Sequence, residues 1–275
     1  MAISAKDVMS LRQQTGLGMM ECKAALTEAD GDIGKAVDLL RQRGLAKMDS
    51  RTDRASAEGR VAAIVAADKS KAALVEVDTE TDFTANTDAF KQMIKKVAAE
   101  ALSRKPGSVD KNDVIQAAID DVRITTKENV QFARAVVLGG PGSKVGSYVH
   151  FTGKTGTLVE LDVSGGDGSE VTDELLADLC MHVTAISPAP LGVDKSDIPA
   201  EIVAKERQIA KAQAMESGKP ENIAEKMVEG KLRRFYEEHA LLLQPFVKDD
   251  KTQIKDLLPA GVRIKSFVKY QVGQQ

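Results

Sequence analysis

Two short stretches of this chain, Leu74-Val75-Glu76-Val77-Asp78 and Leu158-Val159-Glu160-Leu161-Asp162, are near copies, and their flanks repeat as well. Gly59-Arg60-Val61 opens an apolar run before the first copy, with a polar turn at Asp68-Lys69-Ser70. Gly146-Ser147-Tyr148-Val149-His150 opens the run before the second, with a turn at Gly153-Lys154-Thr155-Gly156. A helical stripe follows each copy. After the first, Phe90, Met93, Ile94, Val97, Ala98, Ala101 and Leu102 recur at helical spacing. After the second, Leu175, Leu176, Leu179, Val183 and Ile186 do so behind Thr172, a good N-cap. A hairpin plus a helix, occurring twice, points to an α+β fold with two related subdomains on separate antiparallel sheets. The first spans residues 59–139 and the second 140–275. A helix over 111–126 and a strand over 130–138 lie between the two copies.

Residues 1–45 read as a three-helix bundle. Ser4 with Asp7 makes a capping-box start, and Val8, Leu11 and Thr15 share a face. Gly16-Leu17-Gly18 breaks this helix. A second runs from Met19 to Ala29 with Cys22, Leu26 and Ala29 inward. Asp32 caps a third that carries Ile33, Ala36, Val37 and Leu40, and Gly44 is expected to close the unit. Its thin core suits the presentation of a surface better than the enclosure of a pocket. Residues 46–58 lose periodicity and read as a linker.

The second subdomain carries an extension. After Pro188, Pro190 and Pro199, two helices over about 200–216 and 221–242 flank Ser217-Gly218-Lys219-Pro220, a projecting antiparallel hairpin. Val228, Leu232, Phe235, His239 and Leu242 mark its seam. A short helix is expected near 251–258. Ile264–Val272 alternates as a closing strand of the second sheet.

Little in the composition invites chemistry. Net charge is −3, acids and bases are interleaved, and no basic block offers a track for nucleic acid. There is no apolar run of membrane-spanning length and no leader pattern at the N-terminus. Cys22 and Cys180 lie far apart, as expected of buried thiols in a reducing, cytoplasmic setting. His150, His182 and His239 read as packing or surface residues, and Cys180 and His182 are spaced so that they cannot share a metal. Gly139-Gly140-Pro141-Gly142-Ser143-Lys144 lacks the strand-before, helix-after setting of a phosphate loop and reads as a subdomain linker. Neither a cofactor nor a metal is expected, and the chain is expected not to be an enzyme.

Two segments stand apart. Met19 and Met20 open a helix side by side and cannot both point inward. One is expected to face solvent as a contact residue, the other reading being a loosely packed core methionine. In Thr79–Asn86, Phe83 is a large ring among polar neighbours, with the charge of Asp82 beside it. It either folds back as a core anchor or projects as an interface knob.

Together these segments resemble the bacterial translation elongation factor Ts family, over essentially the whole chain. The run TGLGMMECKAALTEADGDIGKAV looks like the family's ubiquitin-associated-type (UBA-like) helical domain. Thr81-Asp82-Phe83 looks like its TDF signature. Met181-His182-Val183, Ser217-Gly218-Lys219-Pro220, Ile223–Gly230 and Gln244-Pro245-Phe246-Val247 look like its second-half signatures.

The resemblance implies a guanine nucleotide exchange factor that binds elongation factor Tu, with GDP or without nucleotide, and speeds GDP release. It implies that Asp82 and Phe83, within Thr81-Asp82-Phe83-Thr84, wedge beside the partner's magnesium site. Met19, Met20 and His150 become flanking contacts, and neither nucleic acid nor membrane is implied as a partner. Two departures stand out. The family's usual Val after the Phe is Thr84 here, a polar contact. The sequence also ends at Gln275, whereas longer members carry a further C-terminal helix, so that contact is expected to be missing. The competing classes are a helical-hairpin scaffold or chaperone-like binder, and an enzyme whose pocket would need convergent titratable groups.

Overall fold

The structure is a computed structural model that describes residues 3–49, 54–216 and 220–274. Residues 50–53 of the expected linker and Ser217-Gly218-Lys219 of the expected hairpin junction lie outside the described residues.

Helix α1 (Ala5–Thr15) starts as expected: Asp7 N donates to Ser4 Oγ at 3.1 Å and Ser4 N returns to the Asp7 carboxylate at 3.3 Å. It stops at Gly16, whose φ of 69° is left-handed. Helix α2 (Met19–Glu28) buries Cys22, Ala25 and Leu26. Helix α3 (Ile33–Asp49) begins where Asp32 Oδ1 accepts from Lys35 N at 3.0 Å. Gly44 does not close it, contrary to the sequence reading, and the helix runs on through Asp49. Gly44 is instead a point of close approach, since a Cβ there would lie 2.8 Å from Ile124 Cγ1. Ile124, from outside the three helices, completes their core with Leu11, Leu26, Ala36 and Leu40.

The body continues with β1 (Glu58–Val65), β2 (Lys71–Thr79), α4 (Asp82–Asn86), α5 (Asp88–Leu102), β3 (Gly107–Ser108), α6 (Asp113–Thr126) and β4 (Gln131–Gly139). These strands form an antiparallel sheet in the order β1-β2-β4-β3. A tight connection at Gly140-Pro141-Gly142 leads to β5 (Ser143–Val149), β6 (Thr155–Asp162), α7 (Asp173–Ala185), α8 (Ala200–Glu216) and α9 (Glu221–His239). After them come β7 (Pro245–Phe246), β8 (Asp249–Gln253) and β9 (Arg263–Gln271). The second sheet has the order β5-β6-β9, and β7 pairs with β8 alone. The short helix expected near 251–258 is a 3-10 turn at Ile254–Leu257.

The two near-identical pentapeptides sit at equivalent places, on the strand flanked by neighbours on both sides in each sheet. Leu74 pairs with Ala63 and Val136, and Leu158 with Ser147 and Val268. Consecutive apolar residues there have a physical reason: β2 is covered on both faces. Ala73, Val75 and Val77 point to α5 and α6. Ala72 and Leu74 point the other way and join Val61, Val145, Leu158 and Tyr270 in one buried cluster. The sheets therefore keep separate strand ladders but share a core. Arg134 fastens them, with Nε donating to Glu76 at 2.7 Å and its guanidinium 4.3 Å over the ring of Tyr270. The far face of the second sheet turns Val159, Leu161 and Ile264 onto α7.

Helices α8 and α9 pack on each other through a small core of their own, Ala210, Ala214, Val228 and Leu232. Among the described residues no helix is long and apolar enough to cross a membrane.

Candidate partner-binding surface

Asp82 and Phe83 stand on α4, a helix of little more than one turn between the central strand β2 and the amphipathic α5. Both are exposed, and Phe83 is 83% exposed. Of the two readings open to the sequence, the ring projects. The next two residues go inward: Ala85 is buried, and so is Thr84, at 6% exposed. Thr84, expected among the contact residues, thus belongs to the support of the turn. The reason is the pitch of a single helical turn, in which one adjacent pair faces out and the next faces in.

A carboxylate from another element holds this turn. Glu128, just past the end of α6, accepts from Thr81 Oγ1 at 2.6 Å, Thr81 N at 3.1 Å and Thr79 Oγ1 at 2.8 Å. The Thr81 hydroxyl in turn accepts from Thr84 N at 3.3 Å, which caps α4. Burial of Glu128 would by itself raise its pKa. Hydrogen bonds from the Thr81 and Thr79 hydroxyls and from the Thr81 amide outweigh that and hold it below the ordinary carboxylate range. Thr87 closes the other side, its Oγ1 donating to Thr84 O at 2.8 Å and accepting from Phe90 N at 3.2 Å.

Met19 and Met20 open α2, and the structure exposes both, at 48% and 75%. The sequence placed only one outside. With Gly18 N bonded to the Glu21 carboxylate at 3.2 Å, the inward positions of this helix fall to Cys22, Ala25 and Leu26. The start of α2 rests on the C-terminal end of α6. Gly16 faces the Thr125 methyl, and Glu21 lies 3.9 Å from Lys127. Since Glu128 follows at once, the end of α6 supports both the methionine pair and the Phe83 turn.

His150 follows β5 and is half-buried. Its Nδ1 lies 2.8 Å from Thr152 Oγ1, and its ring packs at 4.3 Å on that of Phe151, which is 87% exposed. The hairpin turn that bears them is tied to the first sheet by Val61 N donating to Gly153 O at 2.7 Å. Arg60 lies against Gly153, and its Nη1 donates to Asn86 Oδ1 on α4 at 2.8 Å. The Phe83 turn and the His150 turn, from different repeats, therefore flank one guanidinium.

Glu128, Arg60, Asn86 and Phe151 escaped the reading of the sequence. The first three act through partners distant in the chain, and no local pattern marks them. Phe151 carried a signal, since it is a large apolar side chain at the start of a polar turn, much as Phe83 is.

Farther off, two signatures of the second half meet. His182, fully buried on α7, has Nε2 3.1 Å from Gln244 Oε1, and its Nδ1 accepts from Val247 N at 3.2 Å. That pattern requires a neutral ring with its proton on Nε2, and burial correspondingly lowers the pKa.

The description Elongation factor TS belongs to the family model that matches residues 80–274, from the Phe83 turn through the closing strand. Whole-chain relatives carry the same name. The Elongation factor Ts of Alkalilimnicola ehrlichii is 43% identical over 100% of this chain and 93% of its own length. That of Methylococcus capsulatus is 44% identical with the same coverage, and that of a Nitratiruptor species is 38% identical over 100% and 94%.

Proposed function

The chain belongs to the elongation factor Ts family, the nucleotide exchange factors of elongation factor Tu, and from that premise we propose how its surface drives release of GDP. Asp82 and Phe83 enter the partner's G domain beside the site that holds magnesium and phosphate. Met19, Met20 and His150 make flanking contacts. Thr81 and Thr84 hold the turn from within. The observation that carries this reading is the exposure of Phe83 on a turn anchored by the Thr81 amide and hydroxyl to Glu128.

Tight GDP binding in such GTPases depends on a magnesium ion bridging phosphate and protein. A ring that displaces the backbone around that ion weakens GDP, and by linkage GDP weakens the factor. A thousandfold faster release needs the barrier lowered by about 4 kcal/mol. Burying one exposed Phe contributes roughly 1.5–3 kcal/mol, and the flanking methionines supply the same order. A turn already held in place by hydrogen bonds loses little backbone entropy on docking.

The rest of the molecule fits around this action. The three N-terminal helices serve as the UBA-like domain, 46–58 as linker, and 59–139 and 140–275 as core subdomains, with the helical pair near 200–242 projecting from the second. The factor acts on GDP-bound and nucleotide-free elongation factor Tu in the cytoplasm. It uses no covalent chemistry of its own and needs neither nucleic acid nor membrane.

Stopped-flow release of fluorescent GDP from elongation factor Tu tests this reading. The intact chain accelerates release, and Phe83→Ala abolishes most of the effect with an unchanged melting temperature. Release that the wild type leaves unaccelerated refutes the exchange function. An unchanged rate for Phe83→Ala refutes the wedge.

A further inference from the structure

Among the described residues Phe151 is the most solvent-exposed of the large apolar side chains at 87%, just beyond Phe83 at 83%. The chain has only seven Phe, and Phe90 is wholly buried. An exposed ring needs no explanation when it is loose and alone. This one is neither. His150 packs on it at 4.3 Å and is itself fixed by Thr152. The turn closes through His150 N donating to Thr155 O at 2.9 Å and Gly153 N donating to His150 O at 2.7 Å. Gly153 sits at φ 72°, which a side chain rarely adopts.

The turn is also registered against α4. Arg60, from β1, lies on Gly153 on one side and reaches Asn86 Oδ1 at 2.8 Å on the other. Asn86 is bound back to Asp82 O at 2.9 Å, next to Phe83. A short chain of contacts thus links the two exposed rings, one from each repeat.

We infer that Phe151, backed by His150, is a second apolar contact for elongation factor Tu, continuous with the Phe83 surface, and that it supplies affinity while Phe83 supplies release. This rests on the exchange reading above. The division follows from the setting of each ring. Phe83 has the charge of Asp82 beside it and stands on a single helical turn that can enter a partner. Phe151 lies on a hairpin end with an aromatic backing, which suits docking in a shallow apolar pocket. Because the two elements are fixed relative to each other, both contacts form in one encounter without further ordering.

The test measures GDP release from elongation factor Tu as a function of factor concentration. Phe151→Ala should raise the half-maximal concentration roughly 10- to 100-fold, the worth of one buried ring, and leave the maximal rate unchanged. Phe151→Leu should restore most of the affinity, because an apolar contact tolerates a change of shape better than removal. Phe83→Ala should lower the maximal rate. A Phe151→Ala curve that superimposes on that of an active wild type overturns the second contact and leaves the exchange function standing. A fall in maximal rate with unchanged half-maximal concentration overturns the division of roles. A wild type without activity overturns both readings together.

Discussion

Replacing Glu128 by Gln removes a single charge from the support of the Phe83 turn while leaving Asp82 and Phe83 untouched. The carboxylate accepts from three donors at 2.6, 2.8 and 3.1 Å, two of them hydroxyls that can rotate and one the fixed Thr81 amide. Gln offers one accepting oxygen and turns an NH2 group toward the remaining donors, so at least one bond is lost and one donor opposes another. A hydrogen bond to a charged group contributes about 1.5–3 kcal/mol. Glu128 is only half-buried, so water recovers part of the loss and the lower figure, about 1.5 kcal/mol, applies. That is about a tenfold change in the balance between ordered and disordered turn. The expected result is a fall of up to about tenfold in GDP release from elongation factor Tu, with a small loss in denaturant stability. A pH arm strengthens the test. Because the folded pKa of Glu128 lies below the ordinary 4.5, its stabilisation is complete above that value and is lost as pH falls through the folded pKa. The Gln variant should lack that acid limb. Wild-type release and wild-type stability in Glu128→Gln would refute the clasp.

Asp78→Asn should stabilise the fold near neutral pH. Burial first, and then the negative charge of Glu76, push Asp78 up to about 7, and its Oδ1 has no hydrogen-bond partner. The stability carried by the protonated acid is full below 3.8 and is lost as pH rises through about 7. Asn keeps the neutral state throughout, so urea melts should show a gain of about 1–2 kcal/mol for the variant at alkaline pH, after discounting for solvent reach. An equal gain at every pH would contradict the assignment. His182→Leu leaves Gln244 Oε1 and Val247 N without their ring partner in a buried site, at a cost of about 2–4 kcal/mol. In the wild type the neutral imidazole's stabilisation is full above pH 6.5 and is lost as pH falls through the depressed folded value. Thermal melts of both proteins across that range check the magnitude and the sign.

Short-range grammar fixed much of this molecule before any folding in space. The caps at Ser4, Asp32 and Thr172, the helical stripes from Phe90 to Leu102 and Leu176 to Val183, and the strand that closes the second sheet were all legible. Each depends on residues within a few positions of one another. The doubled pentapeptide likewise marked one strand of a hairpin in each repeat; that both strands are central in their sheets and that β2 is covered on both faces emerged only in the structure. What supplied that cover was not legible. Ala72 and Leu74 meet Val145, Leu158 and Tyr270 only because the sheets stack.

The same limit governs the surface. Whether Phe83 turned in or out, whether one methionine or both faced solvent, and that Thr84 would be buried were settled by space already occupied elsewhere in the fold. Glu128 takes up the hydroxyls of Thr79 and Thr81, and Cys22, Ala25 and Leu26 fill the inward face of the second helix. A sequence displays periodicity and capping because those interactions span one turn or one strand. The direction of a side chain in an aperiodic loop depends on atoms brought from far along the chain, and only the packed tertiary structure decides it.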